Sequence, residues 1–387
     1  MEIWSVHQLY QEAEASLGKE SALNLRNYAN NLKKRNFPVI FSLRHLSIIT
    51  GVDYSVLRST VARRRESANY RMFAIKKRSG GRRHIHAVTS ELFKVQHFIN
   101  SVILQKIKPH NASYAFHSDG GVRKCAEQHC GARWLFQFDI ADFFYSINES
   151  DIYNIFVSAG YRPLLAFELS RLCTTLRLPT HLRSLILLPK YSVKEYKFYN
   201  QYNTNHHSRI IPEPFPLGVL PQGAPSSPML SNLASEKLDV SLADYADKNG
   251  FIYTRYADDI TFSCGNDLAD GVSVKKVRRD IISIIRKHHF IENTNKIRIS
   301  GPGSKKVVLG LLVDGNAPRL SKETYKRIDR HLYAIQKFGL NEVAKYEKFD
   351  SPIGFYNHVA GLIAYVKDVD NARWLQFHQR FSIINHP

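Results

Sequence analysis

Over residues 1 to about 70, apolar positions recur every three or four residues in WSVHQLYQEAEASL, SALNLRNYANNLKK and SVLRSTVARRRESA, a spacing that predicts helices. The pattern changes at YRMFAIKKRSGGRRHIHAV, where two strand-like pieces flank Ser-Gly-Gly and predict a hairpin. TSELFKVQHFINSVILQKI opens with Thr-Ser and a following Glu, a helix-capping pattern, and continues with helical period. The loop KPHNASYAFHSDGG leads into a short helix through Cys125 to His129. RWLFQFDIADFFYSI reads as an aromatic-rich strand that ends in a polar, helix-starting segment. Further on, YTRYADDITFSC predicts a hairpin, GVSVKKVRRDIISIIRKHHF a helix, NKIRIS and KKVVLGLLVD one strand each, and the residues from SKETYKRIDRHLYAIQKFG onward helices. No internal repeat or low-complexity tail interrupts this order.

At 387 residues the chain is long enough for two or three packed subdomains, with the apolar content of a folded protein. A formal net charge of +20 predicts a polyanionic partner, because Lys and Arg gain sequence-independent affinity by displacing counterions from phosphates. No apolar run is long enough to span a bilayer, and MEIWSVHQLYQEAEASLGKE lacks the basic and apolar regions of a signal peptide, so the expected location is cytoplasmic. The four cysteines form no CxxC pair, and Cys125, His129 and Cys130 lack the spacing of a zinc site. Residues 183–217 interleave Lys, Arg, His and Tyr and close in alternating prolines, which suits either an insertion that meets a nucleic-acid strand or a solvated loop.

Asp258 and Asp259 sit side by side where the hairpin turns. Adjacent carboxylates repel unless a cation lies between or before them, and a divalent metal is the strongest candidate. Asp139, at the end of the strand in FQFDIADFF, completes a three-acid set that could hold two Mg²⁺ ions, with Mn²⁺ as a substitute, and so support in-line phosphoryl transfer. Between them, VLPQGAPSSPMLSNLASEKLD describes a glycine turn where backbone closely approaches a ligand, followed by a helix N-terminus.

Taken in order, Asp139 in FDIADFF, then LPQGAPSSPMLSNL, then YADD resemble motifs A, B and C of the reverse transcriptase palm. KKRSGGRRHI resembles the fingers strands that carry triphosphate contacts, HHFIENTNKIRI the motif D region, and VVLGLLVDGNAPRLSKETYKRIDRHL the primer grip and start of the thumb. Within that superfamily the chain resembles the bacterial retron type. CAEQH at 125–129 stands where those enzymes carry Asn-Ala-x-x-His, with Cys125 in place of Asn, and Val308-Leu309-Gly310 stands where they carry Val-Thr-Gly, with Leu309 in place of Thr. The length argues against a group II intron protein, so no maturase-like, endonuclease or RNase H-like domain is expected.

The resemblance implies an α+β right-hand polymerase with fingers, an antiparallel palm sheet backed by helices, and a helical thumb. Its expected domains are an N-terminal helical segment at 1–70, fingers at 71–134, a palm at 135–305 that includes the insertion, and primer grip and thumb at 306–387. It implies that Asp139, Asp258 and Asp259 are the catalytic metal ligands, with Asp259 the supporting one, and that Asp142 is a helix cap or surface acid. Lys76, Arg82 and Arg83 would neutralise the triphosphate, and Gln222 would touch the incoming nucleotide or template. Phe144 would stack beneath the incoming sugar and select against a ribose 2′-hydroxyl, or else pack in the core. Lys296 would be a general acid on the pyrophosphate or a surface lysine. Tyr256, Val308, Leu309 and Gly310 would lie near primer and template, and Cys125, Ala126 and His129 would help place RNA or simply pack.

The activity implied is RNA-directed DNA synthesis from deoxynucleotides. The retron resemblance implies a cognate structured noncoding RNA, priming from an RNA 2′-hydroxyl, single-stranded multicopy DNA joined to RNA, and an effector protein in an antiphage ribonucleoprotein. Two alternatives stand beside it: another bacterial defence reverse transcriptase with a different template or protein priming, and a catalytically dead RNA-binding scaffold.

Overall fold

The computed structural model describes residues 5–76, 81–183, 217–268 and 272–384. The chain divides into two compact units, one of residues 1–111, 140–240 and 285–291, the other of residues 112–139, 241–284 and 292–387.

The first unit opens with helices Val6–Leu17, Lys19–Lys34, Leu43–Thr50 and Tyr54–Val61. Ser5, Ser42 and Asp53 start three of these by accepting a hydrogen bond from a first-turn backbone N–H. The helix Leu43–Thr50 falls within the helical segment expected over residues 1–70, whereas the helix expected through residue 68 stops at Val61, because the chain turns through Arg63 at φ +60° before the short helix Glu66–Asn69. Strands β1 (Tyr70–Lys76) and β2 (Arg82–Val88) pair antiparallel, as the hairpin pattern predicts. Helix Ser90–Phe98 forms in its expected place, but the Thr89 side chain makes no capping hydrogen bond, so the capping pattern there is corrected. A true capping box occurs instead at Asn148, whose side chain accepts from the Asp151 N–H while Asp151 accepts from the Asn148 N–H, at the head of helix Glu149–Ser158. Helices Pro163–Cys173 and Ser227–Ala234 also belong to this unit, the latter following the glycine turn as expected. Most of the basic, aromatic insertion at 183–217 lies outside the described residues.

The second unit holds the main sheet, β3 (Trp134–Asp139), β4 (Ile252–Tyr256), β5 (Asp259–Cys264) and β6 (Arg298–Ser300), antiparallel in the order β4-β5-β3-β6. Aromatic side chains pack one face: Phe136 meets Phe251 edge-on at 5.7 Å, and Tyr253 stacks on Phe262 at 4.9 Å. Each such fully buried ring contributes about 2–3 kcal/mol, which is why β-branched and aromatic residues dominate these strands. The expected single strand in KKVVLGLLVD is corrected to a tight hairpin of two-residue strands, β7 (Val307–Val308) and β8 (Leu311–Leu312), because Leu309 and Gly310 both take left-handed backbone, φ +50° and +85°. Helices Lys322–Phe338, Leu340–Tyr346, Pro352–Val369 and Asn371–Ser382 then share one apolar core with Ala126, Val308, Leu311, Phe355 and Phe377. No helix among the described residues is long and apolar enough to cross a membrane.

Candidate active site

In the second unit, β3 ends at Asp139 and β5 begins at Asp259, and the two face each other as the last paired residues of that ladder. Tyr256 pairs with Asp259 across β4 and β5, so Ala257 and Asp258 form the two-residue turn, with Ala257 at φ +56°. Asp139 is only 5% exposed. Desolvation, then the negative charges of Asp258 and Asp139, push the Asp259 carboxyl up to about 6, while Lys296 and Arg298 pull the other way.

Lys296 closes the arrangement. It ends the short turn Thr294–Lys296, the Asn293 N–H donates to the Asp139 carbonyl at 2.7 Å, and the Lys296 ammonium donates to Asp139 Oδ2 at 2.6 Å. Burial disfavours the ammonium, but the hydrogen bond and charge of Asp139, with those of Asp258 and Asp259, outweigh it and raise the Lys296 pKa. Arg298, two residues on, lies inside the motif D stretch without a role assigned from sequence; the β3–β6 pairing brings β6 alongside Asp139's own strand.

The donor set is made of hard carboxylate oxygens with excess negative charge, which suits Mg²⁺-type ions. Among the described residues no three Asp, Glu, His or Cys side chains are gathered tightly enough to enclose an ion.

Around this centre, Tyr256 is half-buried, with its ring 6.5 Å from Phe116. Cys125, Ala126 and His129 are all buried and offer no side-chain surface to an RNA. The His129 ring nitrogens pair with Ser263 Oγ at 2.6 Å and Thr254 Oγ1 at 2.7 Å, and the Cys125 thiol donates to Thr254 Oγ1 at 3.3 Å. These bonds fasten the helix Val122–Glu127 and the residues after it to β4 and β5. Burial lowers the His129 pKa to about 4, so the ring is neutral at pH 7. Val308 ends β7 and Leu309-Gly310 form the β7–β8 turn, and the Tyr365 hydroxyl donates to the Leu309 carbonyl at 3.2 Å.

The first unit carries the other candidates. Lys76 stands opposite Arg82 in the β1–β2 ladder, with Arg83 next to it, and all three are exposed. Phe143 is buried against Phe290 at 5.8 Å, whereas Phe144 is only half-buried; of the adjacent pair, it is Phe144 that keeps surface available. Asp142 is exposed in left-handed backbone at φ +48° and caps nothing with its side chain, which leaves it a surface acid. Gln222 lies in the glycine turn, and its carbonyl accepts from the His86 N–H of β2 at 2.8 Å. Gly223 has φ +111°, and a Cβ there would meet the His86 carbonyl at 3.0 Å, so the close backbone approach predicted for this turn is made to β2.

Residues 75–312 match the family described as reverse transcriptase (RNA-dependent DNA polymerase). The chain is 28% identical to the retron Ec86 reverse transcriptase of Escherichia coli, over 89% of this chain and 90% of that one. It is 29% identical to the retron Mx65 reverse transcriptase of Myxococcus xanthus, over 87% of this chain and 70% of the other. A solved structure of telomerase from Candida albicans, in complex with a fragment of telomeric RNA, overlaps 84% of this chain and 59% of its own at 12% identity and a TM-score of 0.39. The antiparallel sheet with its helices is the α+β right-hand polymerase fold of that family. The family works with divalent metal ions and an RNA template. A match across most of the chain, with an acid-tipped sheet inside it, makes this protein a member of the reverse transcriptase family, an RNA-directed DNA polymerase similar to the retron-type enzymes.

Proposed function

We propose that the protein copies part of a cognate structured noncoding RNA into single-stranded DNA, primed from an RNA 2′-hydroxyl, within an antiphage ribonucleoprotein that includes an effector protein. The observation that carries the catalytic part is Asp139 facing Asp259 across β3 and β5, with Asp258 in the adjoining turn and Lys296 bonded to Asp139. Similarity to retron reverse transcriptases over most of the chain supports the template and priming.

In this reading Asp139 and Asp258 are the principal ligands of two Mg²⁺ ions, and Asp259 supports them. When bound, the ions neutralise the attacking and leaving oxygens of the phosphoryl transfer. Asp139, which pairs with the Lys296 ammonium, would serve as a metal ligand, and Lys296 would donate a proton to the leaving pyrophosphate. Lys76, Arg82 and Arg83 hold the triphosphate, Gln222 touches the nascent pair, and Phe144 bars the ribose 2′-hydroxyl. Tyr256 lies by the primer end, and the Leu309 turn steadies the primer. The buried Cys125, Ala126 and His129 act on RNA only through the helix and loop that they anchor. The net charge of +20 draws the RNA to the protein mainly through its phosphates.

The test is to purify the protein from its native gene neighbourhood, extract the bound nucleic acid, and treat it with RNase, DNase and debranching enzyme. DNA joined to RNA through a debranchable 2′–5′ bond is the expected result. Free or protein-linked DNA would keep the polymerase chemistry and overturn the priming.

A further inference from the structure

Glu149 begins the helix Glu149–Ser158, carries a formal charge and is 0% exposed, yet no motif of the reaction includes it. Its two carboxylate oxygens are fully employed. Oε2 accepts from Arg63 Nη2 at 2.6 Å and from the Gly218 N–H at 3.1 Å, and Oε1 accepts from Arg171 Nε at 2.8 Å. The Glu149 N–H returns a hydrogen bond to the Gly218 carbonyl at 2.8 Å. A carboxylate and a guanidinium buried together are costly unless their geometry is complete, so the cluster admits one arrangement of the backbone threaded through it.

That backbone leads to the nucleotide turn. From Gly218 the chain runs through Val219, which exchanges hydrogen bonds of 2.9 and 3.0 Å with Thr175, and Leu220, whose N–H donates to the Ile147 carbonyl at 3.1 Å. Two residues later Gln222 docks on His86. A second carboxylate, Glu66, accepts from Arg63 at 3.0 Å, from the Thr175 hydroxyl at 2.5 Å and from the Leu176 N–H at 3.1 Å, and so fixes the segment that Val219 pairs with. There is no slack at the head: a Cβ on Gly218 would lie 2.3 Å from Arg63 Nη2 and 2.7 Å from Thr174 Oγ1.

We propose that Glu149, bridging Arg63, Arg171 and Gly218, is a positioning residue that sets where Gln222 meets the incoming nucleotide. The inference rests on the reading of Gln222 as a nucleotide contact. Glu149 touches no reacting atom; it acts through the chain from Gly218 to Gln222, so its loss changes nucleotide capture more than the chemical step. The amide of Glu149→Gln keeps nearly the same shape, removes the charge and turns N–H groups toward a guanidinium, which loosens the cluster without emptying it.

The test is steady-state primer extension on the purified ribonucleoprotein with Glu149→Gln, Arg171→Lys and Gln222→Ala, together with RNA affinity for each variant. The expected result for Glu149→Gln is a deoxynucleotide KM raised about tenfold or more, with kcat within about threefold and RNA affinity unchanged. Arg171→Lys lies at the more open edge of the cluster and keeps its charge, so it provides the measurement if Glu149→Gln does not fold; its KM is expected to rise by a smaller factor. A raised KM for Gln222→Ala with unchanged KM in the folded cluster variants would overturn the positioning role and leave the Gln222 reading standing. Unchanged KM for Gln222→Ala itself would remove the premise. Loss of kcat and KM effects in parallel with loss of RNA affinity would reduce Glu149 to a general structural role.

Discussion

Asp139 and Asp259 stand directly opposite each other across β3 and β5, a pairing of like charges that ordinarily destabilises a sheet. Lys296, 2.6 Å from Asp139, and the charge of Arg298 act against that repulsion, while Asp258 adds a third acid in the turn. The protein therefore holds negative charge in place at this end of the sheet.

Divalent metal should relieve that repulsion measurably. Mg²⁺ at about a hundred times its Kd stabilises the fold by about 2.7 kcal/mol, which a thermal melt reads as a shift of several degrees. The double variant Asp258→Ala with Asp259→Ala is expected to melt higher than the parent in metal-free buffer, to ignore Mg²⁺, to bind RNA normally and to extend no primer. Extension by that variant would refute the site.

Lys296→Arg separates two roles. Arginine keeps the charge against Asp139 but gives up no proton at neutral pH, so a proton donor's loss should lower kcat by about a hundredfold with little change in KM. Full activity in Lys296→Arg would make Lys296 a counter-ion for Asp139 and nothing more. Single-turnover rates decide between these.

Phe144 keeps exposed surface while Phe143 is packed against Phe290. Phe144→Ala should therefore leave the melting temperature nearly unchanged and raise ribonucleotide incorporation roughly tenfold or more relative to deoxynucleotides, because a steric bar is removed without opening the core. Competition assays with paired substrates measure the ratio.

His129 gives the protein an acid-side weakness. Its pKa is lowered to about 4 by burial, against 6.5 for an exposed ring, so the unfolded chain binds the extra proton between those values and stability falls as pH drops through that window. The contribution is fully retained above about pH 6.5 and declines by about 1.4 kcal/mol per pH unit below it, until about pH 4. His129→Gln should unfold more easily than the parent at pH 7 because it breaks the Ser263 and Thr254 bonds. The gap should narrow by about 2 kcal/mol at pH 5, as urea titrations at the two pH values would read.

Much of the local structure was legible because it depends on neighbours in sequence. The β4–β5 hairpin follows from alternating apolar residues around a two-residue turn, and helix Ser227–Ala234 follows from a proline in its first turn. Two stretches depart from their local pattern, and a distant contact holds one of them. Thr89 reads as a cap, yet the helix after it starts without a side-chain bond. The run from Lys305 to Asp314 reads as one strand, yet it folds back at Leu309, whose carbonyl is held by Tyr365 from a helix far along the chain.

The sequence by itself determined the chemistry available here: three acids in motif order, a basic chain suited to a polyanion, a glycine in the turn before the helix at Ser227, and aromatic strands to bury. Residue identity and short-range spacing carry that information. Only the tertiary structure decided that Asp139 faces Asp259, that Lys296 returns from 157 residues away to bond Asp139, that His129 lies wholly inside, and that Glu149 joins Arg63 and Arg171 around Gly218. Those relationships are set by strand register and by the need to pair every buried charge, and neither can be satisfied until distant parts of the chain meet.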